Sequence, residues 1–119
     1  MVQSPIFKEG APQRFLTFIQ TAVYVAAAKK LLDDEGQRVV EEIILSNPKV
    51  GAMESGVRKV RVGLPGVGKR GGARVIYCYV ERKSRVYLLD IYSKGDRPAL
   101  TRAEKNIIRA LSRRLEEDP

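Results

Sequence analysis

An α+β domain, with an antiparallel-rich sheet and helices packed on one face, is what the sequence predicts. Three β-rich runs follow one another without an intervening helix, at residues 57–62, 73–80 and 85–92. Helix-type spacing of apolar residues is confined to the stretches before and after them. At 119 residues the chain is one small domain, able to bury roughly two-thirds of the surface that its unfolded form exposes.

The elements read in the order β-α-α-β-β-β-α. Residues 1–14 contain Pro5, Gly10 and Pro12 and few apolar side chains, so a flexible N-terminal arm is expected ahead of a domain over residues 15–119. FLTFIQ at 15–20 combines aromatic and β-branched residues and suits a first strand. Residues 22–32 are alanine-rich and close on Lys29 and Lys30, cations suited to the negative end of a helix dipole. Asp33, Asp34 and Glu35 place anions at the start of a second helix. Its Val39, Val40, Ile43 and Ile44 make one apolar face, and Asn47-Pro48 stops it. Residues 52–56 read as a loop. In the run 57–62, Lys59 and Arg61 alternate with Val60 and Val62, so the two cations leave one face. Residues 81–84 are charged and short enough for a hairpin, which makes 73–80 and 85–92 antiparallel neighbours. Thr101 with Glu104 forms a capping-box pair, and Ala103, Ile107, Leu111 and Leu115 follow at helical spacing.

Charge is the strongest functional signal. Twenty-two Lys and Arg against fourteen Asp and Glu give a net charge of +8. Residues 1–50 carry six of each sign, residues 51–100 carry eleven basic and four acidic, and the remainder five and four. The excess therefore sits in the middle, where residues 57–80 hold six cations and no acid. A concentrated basic stretch points to a polyanion partner, with a solvated charged face as the alternative.

Several chemistries are excluded. There is no histidine and a single cysteine, Cys78, so His-dependent triads, His-ligated metals, cysteine clusters and intrachain disulfides are out. The longest apolar run, at 21–28, is far short of the ~20 residues of a membrane span. Residues 1–10 lack the charged start and hydrophobic core of a secretory signal, so a cytoplasmic location without membrane contact is expected. GLPGVGKR at 63–70 resembles a Walker loop, and GVGKRG at 66–71 spells G-x-G-x-x-G. Both fail. Arg70 stands where Ser or Thr would hold magnesium, and a β-rich run follows where a helix N-terminus must supply amides.

Lys59 and Arg61 leave the same sheet face about 6.6 Å apart, and that face must look toward solvent or a ligand. Arg74 opens the next strand and comes near Lys59 or Arg61 if the two strands pair across the glycine loop. Lys94 and Arg97 emerge where the last strand ends, so these five cations converge on one concave face. A phosphate ester is the counter-ion such a cluster lacks; separate ion pairs with Glu54, Asp90 and Asp96 are the competing explanation. Arg58, with Lys69 and Arg70 on the glycine-rich tip, would extend the contact along a phosphate backbone. Strand tyrosines Tyr77, Tyr79 and Tyr87 suit the core, and Tyr92, sharing a face with Asp90 and Lys94 by alternation, is the one placed to stack on a base. Cys78 reads as a small buried filler.

Cleavage of RNA fits such a site, because the substrate brings its own nucleophile in the ribose 2′-hydroxyl. The protein has to align that hydroxyl and stabilise charge on the phosphate oxygens, with no cofactor or metal called for. Arg74 and Arg97, with their bidentate forks, would hold the pentacovalent phosphate. A lysine surrounded by cations releases its proton more readily, which makes Lys59 a candidate base.

The stretch GVRKVRVGLPGVGKRGGARVIYCYV, followed by VYLLDIYSK and a capped helix, resembles the RelE/HigB-type toxins of bacterial type II toxin–antitoxin modules. The likeness covers roughly residues 15–116. It implies the compact RelE-like fold and a ribosome-dependent endoribonuclease that cuts messenger RNA in the decoding site and so inhibits translation. Lys59 and Arg61 match the two basic residues of the first motif strand, Arg74 the arginine opening the next, and Arg97 the one after the last strand. The resemblance also implies a cognate antitoxin, in the HigB branch often a HigA-like helix-turn-helix protein, so that operator DNA is reached only through it. Some members carry a tyrosine just beyond the Arg97 position; residues 98–103 here read PALTRA, leaving that role to Tyr92 or to the cations alone. Two other readings compete: a ParE-like toxin that inhibits DNA gyrase without cutting RNA, and a non-catalytic RNA-binding module. A gyrase inhibitor has no need of a phosphate-shaped cation cluster.

Overall fold

Side chains at the helix starts fix where each helix begins in the computed structural model, which describes residues 15–54, 56–63, 72–93, 95 and 99–119. The order is β1 (Thr17–Gln20), α1 (Ala22–Leu31), α2 (Asp34–Ser46), β2 (Ala52–Glu54), β3 (Val57–Val62), β4 (Ala73–Val80), β5 (Arg85–Ser93) and α3 (Arg102–Glu117), with one 3-10 turn at Glu81–Lys83. Thr21 caps α1 by accepting from the Tyr24 amide at 3.1 Å, and Asp33 caps α2 by accepting from the Gly36 amide at 2.8 Å. At α3 the capping box is complete: Thr101 Oγ1 accepts from the Glu104 amide at 3.1 Å, and Glu104 accepts from the Thr101 amide at 2.8 Å.

The strands form one sheet in the order β1-β5-β4-β3-β2, with β1 parallel to β5 and the other neighbours antiparallel. The expected order of elements holds with one addition. Residues 52–54, read as loop, form a three-residue strand that pairs Ala52 with Lys59 and Glu54 with Val57. Ala-Met-Glu has little β character of its own, so this strand owes its existence to its neighbour. Gly56, at φ +83°, turns the chain between the two. Gly72 serves where the chain enters β4: at φ +51°, a Cβ would stand 2.1 Å from the Val62 carbonyl oxygen.

Helices pack on both faces of the sheet. Val60, Val62, Val75, Tyr77, Val86, Leu88 and Ile91 meet Tyr24 and Ala28 of α1 and Val40 and Ile44 of α2. Val57, Ile76, Cys78, Val80, Tyr87 and Leu89 point the other way, toward Ile108 of α3. Helices on a single face, as expected from the pattern, is therefore corrected: α1 and α2 share one face and α3 takes the other. The reason is legible in β4 and β5, whose runs ARVIYCYV and VYLLDIY are apolar at nearly every position and so need burial on both sides. The apolar stripe of α3 is also rotated by one residue. Ile108 and Ser112 are buried with Leu111 and Leu115 beside them, while Ile107 is 68% exposed and Ala103 faces solvent.

A β-bulge shapes the second face. Ile76 pairs with Asp90 but Tyr77 pairs with Leu88, so Leu89 is an extra residue on β5. Tyr87 and Tyr92, five positions apart, consequently face the same side.

Candidate phosphate-binding site

The β3–β4–β5 register assembles the site. Arg61 lies directly opposite Arg74, and Arg74 directly opposite Tyr92. Lys59, two residues before Arg61 on the same face, lies opposite Ile76, which lies opposite Asp90. Directly opposed residues on antiparallel strands have Cβ atoms about 4.5–5.5 Å apart, so Arg61 and Arg74 face each other at close quarters. Arg61 is exposed, and Lys59 and Arg74 are half-buried. Lys59, Arg61 and Arg74 thus share one face, beside the apolar patch that α3 covers.

One carboxylate reaches into the group. Glu54 on β2 accepts from Lys59 Nζ through Oε1 at 3.0 Å and from Lys105 Nζ through Oε2 at 3.0 Å. These two hydrogen bonds hold the Glu54 carboxyl below the usual carboxylate range. For Lys59, the alternative of a surface ion pair with Glu54 is realised, and the premise that only cations surround this lysine is corrected. Lys105, at the start of α3, is a cation that sequence reasoning missed. Its signal was present: a lysine in the opening turns of a helix stands at the unfavourable end of the dipole and so needs another reason to be there.

Arg58 does not join the site. Its neighbours Lys59 and Val57 point to the α3 side, so Arg58 points the other way, opposite Tyr77. There its guanidinium donates to the carbonyls of Gly51 at 2.8 Å and Lys49 at 3.2 Å, which secures the chain leaving α2. Tyr92 is brought to the correct face, but at 4% exposure it packs in the core beneath α3 and presents no stacking surface. Lys69, Arg70, Lys94 and Arg97 lie outside the described residues, as does Asp96.

The remaining candidates are structural. Tyr77 is fully buried, donating to the Pro48 carbonyl at 2.8 Å and accepting from the Gly51 amide at 3.0 Å. Cys78 is buried with its thiol pushed up to about 11 by desolvation, as befits a filler. An apolar groove of about 860 Å³ lies between α1 and α3, where β1 ends at Gln20 and leaves the edge of β5 beyond Leu88. Val23, Ala27, Ile107 and Leu111 line it, and Asp90 and Tyr92 of β5 lie on its wall. No helix of the described residues is long and apolar enough to cross a membrane.

The fold and the site define a small basic α+β domain with cations gathered at one end of its sheet. The family model of the RelE toxin of RelE/RelB toxin–antitoxin systems matches residues 18–118, and the chain belongs to that family. Among solved structures, a mutant of the E. coli toxin RelE in the free state is similar over 82% of this chain and 96% of its own, with TM-score 0.52 and 12% identity. The intact E. coli RelBE toxin–antitoxin complex contains a chain similar over 66% of this one and 96% of its own, with TM-score 0.50 and 12% identity. At that identity the likeness is one of fold.

Proposed function

We propose that the chain is the toxin of a toxin–antitoxin pair that cleaves messenger RNA on the ribosome and so stops translation. The observation that carries this reading is the placement of Arg61 directly opposite Arg74, with Lys59 on the same face. Like charges held this close gain stability from an anion between them, and two guanidinium forks suit the oxygens of a phosphodiester. In the reaction the 2′-hydroxyl of one nucleotide gives up its proton and attacks the adjacent phosphorus, and the bond to the next nucleotide's 5′-oxygen breaks as that oxygen takes up a proton. The products are a 2′,3′-cyclic phosphate and a 5′-hydroxyl. Arg61 and Arg74, joined by Arg97, stabilise charge that grows on the phosphate oxygens in the transition state. Lys59, on the same face two residues before Arg61, is the candidate to take the proton of the 2′-hydroxyl or to add positive charge beside the phosphate. The partner is a cognate antitoxin, HigA-like in the HigB branch, through which the pair reaches operator DNA.

Purified toxin added to translating ribosomes tests this. Cuts in the message at codon-linked positions are expected, and Arg74→Ala should slow them by about a hundredfold or more. Intact message with slowed DNA supercoiling would indicate gyrase inhibition instead, and intact message with RNA merely retained would indicate a binding module.

A further inference from the structure

We infer that Glu54 is the resident counter-ion of the site in the free protein, that RNA displaces it, and that Lys105 of α3 is an RNA-contacting residue of the same site. Three strand or helix elements converge on this carboxylate. Glu54 comes from β2, Lys59 from β3 and Lys105 from α3, with one carboxylate oxygen 3.0 Å from each ammonium. All three side chains are about one-third exposed, so the arrangement is open to a ligand rather than sealed in the core. A phosphodiester carries the same features as this carboxylate: one negative charge and two oxygens able to accept from two donors at once. Lys59 is two residues from Arg61, which lies opposite Arg74, so a phosphate replacing Glu54 sits beside further cations.

The position of Lys105 supports a ligand role. In the opening turns of α3 a cation works against the helix dipole, and an ion pair open to solvent to this extent returns little stability. Glu54 keeps the two ammoniums side by side while the site is empty, and in doing so opposes other anions. RNA binding then exchanges both contacts from carboxylate to phosphate, which makes Glu54 a positioning residue and a brake on affinity. This inference rests on the proposed function only in taking RNA as the polyanion.

A fluorescein-labelled 2′-O-methyl RNA oligonucleotide, which the toxin cannot cut, serves as the probe, with ribosome sedimentation as a second measure of binding. Binding is followed across a range of salt for the wild-type protein, Lys105→Ala, Lys105→Arg and Glu54→Gln. Lys105→Ala should bind about tenfold more weakly and lower the salt slope by about 0.7, the value of one phosphate contact on a single strand. Lys105→Arg should restore both. Glu54→Gln should bind about threefold more tightly, because it removes an anion beside the phosphate. An unchanged salt slope in Lys105→Ala, or weaker binding in Glu54→Gln, overturns the inference. Message cleavage by the wild-type protein separates this from the proposed function. Cleavage with unshifted variants leaves the function and removes the inference; the stated shifts without cleavage do the reverse. Failure to bind either RNA or ribosomes overturns both.

Discussion

The two faces of the sheet carry out different work with the same strands. On the α1/α2 face, Val60, Val62, Val75 and Leu88 are sealed beneath two helices, and the buried hydroxyls of Tyr77 and Tyr24 are satisfied, the first by Pro48 and Gly51 and the second by Gln37. On the α3 face a single helix covers Val57, Ile76, Cys78 and Tyr87, and the strand ends beyond it carry Arg61 and Arg74 opposite each other. One face is closed by two helices and the other is covered only in part. Strand alternation makes the division possible, since neighbouring residues such as Val60 and Arg61 serve opposite purposes. Stability should therefore depend on the first face, and function on the uncovered part of the second.

Substitutions on the closed face should give the largest change in stability. Leu88→Ala leaves a cavity under α1 and should cost about 3 kcal/mol, read as a lower urea midpoint. Its cleavage rate per folded molecule should stay near that of the wild-type protein. Loss of cleavage beyond the unfolded fraction would show that the two faces are not separable.

A smaller effect sharpens the contrast within one strand. Arg58→Ala removes two hydrogen bonds to the Gly51 and Lys49 carbonyls and should cost about 1 kcal/mol while cleavage persists. Arg58 carries the same charge as Lys59 and is adjacent to it, so a loss of cleavage without a loss of stability would place it in the site after all.

The smallest effect is one of pH. The Glu54 carboxyl is lowered in the folded protein by its two lysines, so its contribution to stability is complete above the ordinary carboxylate range. That contribution is lost as pH falls through the lowered folded value. The urea midpoint of the wild-type protein should exceed that of Glu54→Gln at neutral pH, and the gap should close on acidification. A gap that persists in acid would mean the ion pairs are not its source.

How much of this was legible in the sequence follows from the range of each interaction. Helix starts are local, and Asp33 and the Thr101–Glu104 pair marked two of them correctly. The cationic pair on β3 was legible because alternation is a property of three consecutive residues. The same rule put Arg58 on the other face, although counting charge along the segment grouped it with the site. Arg74 opposite Arg61 required the register of two strands. Tyr92 beneath α3 required both the bulge at Leu89 and the docking of a helix distant in sequence. Lys105 gave only an indirect local signal, its place at the unfavourable end of a helix dipole; that α3 returns to pack against β3 and β4, beside Glu54, is set by contacts distant in sequence.

The central claim is that the exposed cations of the second face are kept for a phosphate and not for the fold. Arg61→Ala, measured in parallel for urea stability and for message cleavage on ribosomes, tests it most directly. The account predicts a stability change within about 0.5 kcal/mol, as for an ordinary surface site, together with loss of most cleavage. A protein that is clearly destabilised yet cuts message at the wild-type rate would contradict it.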